Sequence, residues 1–203
     1  KTLLARWTAD LLEERGERTL LTCYNNVLAE WLRGRKKGEP QPDISSFFSL
    51  CRSVVLKAKI PFSPPSDVEE QKAFWRREAP SLFGEAISRL SPEHLRLYDA
   101  IIVDEAQDFH PDWWLPLMLM LKDPDAGRLC IFSDPDQQGT FGLGQSWPVG
   151  LHPYELEDNC RNTKKIATFC GNIINKRVHT MPLLPEGSSP RITVASENPK
   201  DRA

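Results

Sequence analysis

The chain has 203 residues, of which 40% are hydrophobic and 27% are charged, and its formal net charge is −2. This composition is ordinary for a soluble globular protein with one sizeable core. No run approaches the ~18 apolar residues that a membrane span needs, and because there is no basic excess, any nucleic-acid contact has to come from a local patch.

The cysteine usage favours a reduced, cytoplasmic protein. Five cysteines occur without a CxxC pair or a zinc-type spacing, and their number is odd. We expect them to be buried as small apolar side chains. No signal peptide is recognised, and the chain begins without an initiator Met, so we expect a fragment of a longer protein.

The first forty residues predict a helix, a strand and a second helix. Apolar residues recur at helical spacing over residues 3–12. A β-type run follows at 19–23, and Asn25 and Asn26 then offer an N-cap for an amphipathic helix. The basic stretch at 33–37 is either a solvated loop or a phosphate contact.

Residues 44–97 predict a helical insertion rather than a separate domain. A helical pattern around Phe47 and a further pair of helical patterns over 74–90 are separated by prolines at 61–65. Proline makes such a break rigid because its φ angle is fixed.

Two unbroken apolar runs, at 100–103 and 129–132, each end abruptly in polar residues. Continuous apolar runs are typical of strands that are buried on both faces of a parallel sheet. A helical pattern at 113–121 lies between them, so the order predicts an open α/β sheet flanked by helices. Ligands bind outside the carboxyl ends of such strands. The segments that follow the predicted strands are 22–26, 104–108 and 133–138.

Asp104 and Glu105 come directly after the first of these apolar runs. Carboxylates are costly to bury unless a cation accompanies them, and Mg²⁺ shared with phosphate oxygens is a natural partner. Successive side chains point in different directions, so Asp104 can face a metal while Glu105 faces an attacking water. Phosphoryl transfer needs that division of roles. The alternative is a pair of surface carboxylates in a loop.

Several segments, taken in chain order, resemble the motifs of UvrD/Rep-like superfamily 1 DNA helicases. Asp-Glu-Ala-Gln-Asp at 104–108 resembles the Walker B motif of that family. The other segments are 1–2, similar to the end of a Walker A loop; 24–33, similar to the first strand-contacting motif; 46–51, similar to a TFHSLC-type motif; 134–138, similar to GDPDQ; and 157–162, similar to NYRS. Their common order over nearly the whole chain is what makes the resemblance specific.

The resemblance implies a P-loop NTPase (RecA-like) fold with the helical insertion at 44–97. Residues 1–155 would form the first motor domain, truncated at its Walker A loop. Residues 156–203 would begin the second motor domain, with a proline-rich linker at 181–190 and a further strand at 192–195.

The resemblance also implies that the cofactors are ATP and Mg²⁺. Lys1 would contact the β- and γ-phosphates, and Thr2 and Asp104 would bind Mg²⁺. Glu105 would be the general base toward the attacking water.

Two more residues receive a catalytic role from the resemblance. Gln137 would sense the γ-phosphate, and Arg161 would act as an arginine finger from the second domain, a task that suits its fixed positive charge. The alternative for Arg161 is a surface salt bridge.

The strand-contacting residues implied by the resemblance are Tyr24, Asn25, Asn26, Ser46, Phe48 and Phe141. Aromatic side chains in such positions stack on the bases of single strands. The chain departs from the family pattern here, because Phe48 stands where His is common and the aromatic residues expected after the 134–138 motif are absent. Phe141 or Trp147 would substitute for them, or would instead pack in a core.

The expected function is therefore an ATP-dependent helicase or translocase that acts on single-stranded DNA, with RNA as a further candidate. The isolated chain is expected to hydrolyse ATP very poorly, since a phosphate cradle needs the backbone N–H groups of a complete loop. One alternative is a catalytically inactive helicase-like module that binds nucleic acid or nucleotide. Another is a scaffold part of a larger protein with a fused nuclease-like domain. The oligomeric state stays open.

Overall fold

The computed structural model describes residues 1–34, 41–134, 137, 147–148 and 150–192. The chain divides into two compact units, residues 1–149 and 150–203. Phe141, residues 35–37 of the basic stretch and residues 193–195 of the predicted last strand lie outside the described residues.

A four-stranded parallel sheet forms the centre of the first unit. Its strands are β1 (Thr19–Cys23), β2 (Asp43–Ser46), β3 (Ala100–Asp104) and β4 (Arg128–Ile131), in the spatial order β2-β1-β3-β4. Every residue of β1 and β3 is buried, as expected for central strands that are covered on both faces. The predicted α/β fold with a parallel sheet flanked by helices is confirmed.

Helices cover both faces of this sheet. One face, which carries Leu21 and Ile102, packs against α1 (Thr2–Glu14) and α2 (Asn26–Arg33). The opposite face, which carries Leu20 and Ile101, packs against the helices α3 (Phe47–Lys57), α5 (Ala79–Arg89) and α7 (Trp114–Met118). The chain between β2 and β3 also contains α4 (Val68–Ala73), a π-helical turn at Phe74–Glu78 and α6 (Pro92–Leu95). Within the described part of the chain, no helix is long and apolar enough to cross a membrane.

Aromatic rings fill the larger of the two cores. Phe47, at the start of α3, is fully buried and stacks on Trp113 with ring centroids 4.1 Å apart. Its ring also meets Phe83 and Phe109 edge-on, at 5.7 and 5.4 Å. Pairs in these geometries are stabilising beyond the area that they bury, so this cluster anchors the predicted helical insertion to the sheet.

Three elements differ from the sequence prediction. Strand β4, expected to be buried on both faces, lies at an edge of the described sheet, and its residues are exposed or half-buried. No sequence pattern predicts β2, an edge strand in which Asp43 is exposed, and it occupies the start of the region assigned to helices. The helix predicted at 113–121 is shorter, with a 3-10 turn at Pro111–Trp113 followed by α7. The chain leaves the helix early because Leu121 forms a β-bridge with Tyr98.

All five cysteines are free thiols, but only some of them are buried. Cys23 and Cys51 lie in the core of the first unit, as expected. Cys160 and Cys170 are exposed, so for these two the prediction of burial is wrong.

The second unit contains one helix and a small parallel strand pair among its described residues. Strand β5 (Asp158–Asn159) pairs with β6 (His179–Thr180), and α8 (Lys164–Ile174) connects them. Gly171 lies close against the chain that follows the helix, because a Cβ built there would come within 2.6 Å of the Lys176 carbonyl oxygen.

Candidate active site

Three separate segments meet where β3 and β4 end. The Phe132 N–H donates to the Val103 carbonyl at 2.8 Å, and the Ala106 N–H donates to the Phe132 carbonyl at 3.0 Å. These bonds hold the chain after β3 beside the chain after β4. Lys1 and Thr2, at the start of α1, reach the same edge. The structure therefore brings residues 1–2 and 104–107 together with Ser133, Asp134 and Gln137 at the position where parallel α/β sheets bind ligands.

Asp104 is the most buried polar residue of this group, with 0% of its surface exposed. Among the described residues, neither of its carboxyl oxygens has a hydrogen-bond partner of normal geometry. Burial raises the pKa of the Asp104 carboxyl, the nearby Thr2 side chain opposes that rise, and the charge of Glu105 adds to it. Opposite Asp104 on β1, burial raises the pKa of the Cys23 thiol to about 12, and the charge of Asp104 contributes. Asp104 is thus a buried acid whose ionised form is disfavoured by its burial.

The donor set at this point fits a hard divalent cation. Thr2 offers a hydroxyl oxygen and Asp104 offers two unpartnered carboxyl oxygens, the ligand types that Mg²⁺ prefers. In the described ranges, no group of three or more His, Cys, Asp or Glu side chains could hold a metal ion. A Mg²⁺ ion that is shared with phosphate oxygens commonly uses only one or two carboxylates, and water completes its shell.

Glu105 adopts a left-handed backbone conformation, with φ 53° and ψ 44°. This region is unfavourable for a side chain of this kind, and such residues cost on the order of 1–3 kcal/mol and cluster at functional sites. The left-handed turn ends β3 abruptly and starts a 3-10 turn at Ala106–Asp108. It gives Glu105 a direction different from that of Asp104 and leaves Glu105 partly exposed.

Lys1, Asp134 and Gln137 form a polar chain at the mouth of the site. The Lys1 Nζ lies 3.1 Å from Asp134 Oδ2, and Gln137 Nε2 donates to the same oxygen at 3.1 Å. The side chains of Lys1 and Asp134 are 32% and 29% exposed. A pair this accessible to water contributes at most about 1 kcal/mol, so the Lys1 ammonium can exchange Asp134 for a phosphate at little cost.

Gln107 is the residue of this site to which the sequence assigned no role. It is 8% exposed and makes hydrogen bonds to Glu105 and Gln137. The only signal in the sequence is its place inside the Asp-Glu-Ala-Gln-Asp segment. Gln107 can bridge Glu105 and Gln137 only when the chain has folded, because Gln137 lies 30 residues further along the sequence.

The predicted strand-contacting residues that the structure describes lie at the ends of β1 and β2, and several have structural partners. The Asn25 side chain caps α2 by accepting the N–H groups of residues 27 and 28, at 2.8 and 3.2 Å. Ser46 is buried, caps α3 and donates to the Asn26 side chain. Tyr24 and Phe48 are partly buried and meet edge-on, with ring centroids 5.4 Å apart. Their contact with nucleic acid stays a prediction.

Trp147, the other candidate for base stacking, packs on Trp114. The two ring centroids are 6.0 Å apart in an edge-on arrangement. This contact with Trp114 of α7 favours the alternative that Trp147 packs in a core.

Arg161 belongs to the second unit and is exposed. Asn159 shapes the turn around it, because the Asn159 Oδ1 accepts the N–H groups of Arg161 and Asn162 at 3.2 and 3.1 Å. Within the described part of the chain, the Arg161 guanidinium forms no hydrogen bond or ion pair, so the surface salt bridge considered as its alternative role is not formed there.

Comparison with known proteins adds no relative. The sequence matches no protein-family model, and no curated protein matches it significantly. The fold and the site define an α/β protein whose parallel sheet carries a cluster of acidic and amide side chains at its carboxyl edge.

Proposed function

We propose that this chain forms the ATP-binding half of a nucleic-acid motor of the UvrD/Rep-like helicase type, with a P-loop NTPase (RecA-like) fold. One observation carries the proposal. Residues from three distant segments, each assigned to ATP chemistry from the sequence, meet at the carboxyl edge of one parallel sheet. Acidic residues alone would not support it, because a solvated acidic loop has no need of a buried carboxylate or a left-handed Glu105.

The proposed roles follow from burial and charge. Thr2 and Asp104 would hold Mg²⁺, which neutralises charge on phosphate oxygens when it is bound. Lys1 would leave its weak pair with Asp134 to contact the phosphates. Glu105 accepts the proton of the attacking water through its carboxylate. These roles divide the work between a buried acid and a partly exposed one.

The roles of Gln137 and Arg161 rest on different grounds. Gln137 already lies in the polar network, where it contacts Asp134 and Gln107. The role of Arg161 as an arginine finger rests on the sequence resemblance and on its exposed guanidinium, which has no ion pair among the residues that the structure describes. In such motors the substrate is single-stranded DNA or RNA, and ATP turnover moves the protein along the strand.

The direct test is ATP hydrolysis by the full-length protein, with and without an unstructured single-stranded DNA, and with RNA of the same sequence. We expect hydrolysis that a single strand stimulates. Glu105→Gln and Arg161→Ala should each reduce kcat by about a hundredfold or more. Glu93→Gln, at an exposed carboxylate, and Arg177→Ala, in the same unit as Arg161, are the matched controls and should keep full activity.

The same experiment separates the alternative function. Tight strand binding that does not depend on nucleotide, together with no hydrolysis, would identify a helicase-like binding module instead. Hydrolysis that survives both the Glu105 and the Arg161 substitutions would refute the assigned roles.

A further inference from the structure

Gln107 occupies a position between the proposed general base and the proposed phosphate sensor. It follows Glu105 by two residues in the 3-10 turn at Ala106–Asp108 and is nearly inaccessible to solvent. A buried amide has two donor and two acceptor positions to satisfy. The partners of the Gln107 amide come from Glu105 in its own turn and from the residues that follow β4.

The direction of the Gln107 amide is fixed by its neighbours. The backbone N–H of Asp134 points at one end of the amide at 3.1 Å, and the Ser133 hydroxyl lies 3.4 Å from the same atom. A backbone N–H can only donate, so that end must be the Oε1 acceptor. The Nε2 of Gln107 therefore faces Glu105 Oε2, at 2.5 Å.

The second contact of Nε2 has a fixed direction as well. Gln107 Nε2 lies 3.2 Å from Gln137 Oε1. The other end of the Gln137 amide faces Asp134 Oδ2 at 3.1 Å, and an ionised carboxylate only accepts. Gln137 must therefore present its Nε2 to Asp134 and its Oε1 to Gln107. Every bond in this network has one permitted donor and one permitted acceptor.

The bond from Gln107 engages only one oxygen of Glu105. Among the described residues, Glu105 Oε1 accepts no hydrogen bond and forms no ion pair. One carboxyl oxygen is thus held in place while the other stays available for the proton of a water. Holding a reacting group within a fraction of an ångström matters, because a displacement of about 1 Å can cost about a hundredfold in rate.

We propose that Gln107 is a positioning residue that ties the carboxylate of Glu105 to Gln137, so that the general base is aligned only when Asp134 and Gln137 are in place. This inference rests on the proposed function. It adds a regulatory link within that site: the residue that senses the γ-phosphate also sets the orientation of the base. Gln107 itself need not touch the nucleotide.

The test compares two substitutions at this position in the full-length protein. Gln107→Glu keeps the length of the side chain and the acceptor for the Asp134 N–H, but it loses the donor to Glu105 and Gln137. Gln107→Met keeps a similar volume and loses every hydrogen bond. We expect each to lower kcat for ATP by about tenfold or more, while the KM for ATP changes by less than about twofold.

Two further variants keep the inference distinguishable from the proposed function. Gln71→Glu makes the same chemical change in α4 and should keep full activity. The double variant Glu105→Gln with Gln107→Glu exchanges donor and acceptor within the same pair, so the hydrogen bond can form in the reverse direction, and the double variant should lose no more activity than Glu105→Gln alone.

Each outcome gives a decision. If Glu105→Gln abolishes hydrolysis but Gln107→Glu and Gln107→Met stay within about twofold of wild type, the inference is overturned and the proposed function stands. If KM rises and thermal stability falls together in both Gln107 variants, the residue is merely structural and the inference is again overturned. If Glu105→Gln leaves hydrolysis intact, or no hydrolysis is found, the proposed function fails and the inference fails with it.

Discussion

Replacing Asp104 with asparagine is expected to have opposite effects on stability without and with Mg²⁺ and ATP. In the ligand-free protein, the Asp104 carboxyl is buried, has no hydrogen-bond partner among the described residues, and has a pKa raised by that burial. The ionised form of this carboxyl is therefore less favourable in the native state than in the unfolded chain, where water solvates it. Asparagine has nearly the same shape and no charge, so it removes this cost.

The size of the effect follows from the two unpartnered oxygens. An unsatisfied buried polar group costs about 1–3 kcal/mol, and a charged one costs more. The asparagine amide keeps part of that cost because it lacks partners too. We therefore expect Asp104→Asn to raise the free energy of unfolding by about 1–2 kcal/mol at pH 7.

The pH dependence has a definite sign. Because the native Asp104 carboxyl has a raised pKa, it binds its proton more tightly than the unfolded one does. The contribution of Asp104 to stability therefore falls as the pH rises above the ordinary aspartate value. As the pH is lowered through the raised pKa, the penalty disappears and the two proteins converge.

Bound Mg²⁺ and ATP reverse the order of stability. A ligand at a hundred times its Kd stabilises the native state by about 2.7 kcal/mol. Wild type should gain this amount, whereas the asparagine variant has lost a charged ligand for the metal and should gain far less.

The assay is urea unfolding of the full-length protein at pH 7.5 and pH 5, with and without saturating Mg²⁺ and ATP. The control is Asp112→Asn, whose side chain is 87% exposed and should respond as wild type does. A ligand-free wild type as stable as the Asp104 variant at pH 7.5 would contradict the burial argument. Equal stabilisation of both by Mg²⁺ and ATP would contradict the metal assignment.

Other expected outcomes concern the scaffold around the site. Phe47→Ala, which removes a fully buried ring stacked on Trp113, should lower the free energy of unfolding by about 3–5 kcal/mol in urea melts, and a loss below about 1 kcal/mol would contradict the cluster described above. Asn25→Ala should cost about 1 kcal/mol because α2 loses its cap. Asn25→Asp keeps the cap but adds a negative charge. Single-strand binding that is weakened in Asn25→Asp and not in Asn25→Ala would therefore show that residue 25 also faces the phosphates. Gly171→Ala should destabilise the second unit by about 1–3 kcal/mol, since its Cβ would meet the Lys176 carbonyl oxygen; an unchanged thermal midpoint would show that the chain relaxes there.

The buried strands were predictable because a strand that is buried on both faces has a continuous run of apolar residues. The run at 19–23 coincides with β1, and the run at 100–103 lies within β3. The edge strand β2 was not predictable in this way, because Asp43, Ile44 and Ser45 are exposed or half-buried and do not form a continuous apolar run. The same limit applies to α7, whose end is set by a bridge from Leu121 to Tyr98 that no local pattern contains.

The candidate site was predictable only in part. Strand-end placement alone located Asp104 and Glu105, since ligands gather at the carboxyl edge of parallel sheets. The left-handed turn at Glu105 and the pair between Lys1 and Asp134 depend on how distant segments meet, and a sequence pattern does not contain that information. The burial of Gln107 belongs to the same category.

The all-parallel order of the sheet also governs when the site can exist during folding. Each strand pair in a parallel sheet needs a long crossover, and the bond from the Arg18 N–H to the Asp99 side chain, just before β1 and β3, already closes a loop of 81 positions. Such closures must be made before the contacts they allow can stabilise them, which makes folding slow. A chain emerging during synthesis would complete α1, β1 and α2 long before β3 pairs with β1 and β4 is added beside β3. Until then, Asp104 has no buried position and Gln107 has no partner after β4. The site is therefore absent from partly folded chains, and a ligand that binds there can stabilise only chains whose sheet is complete.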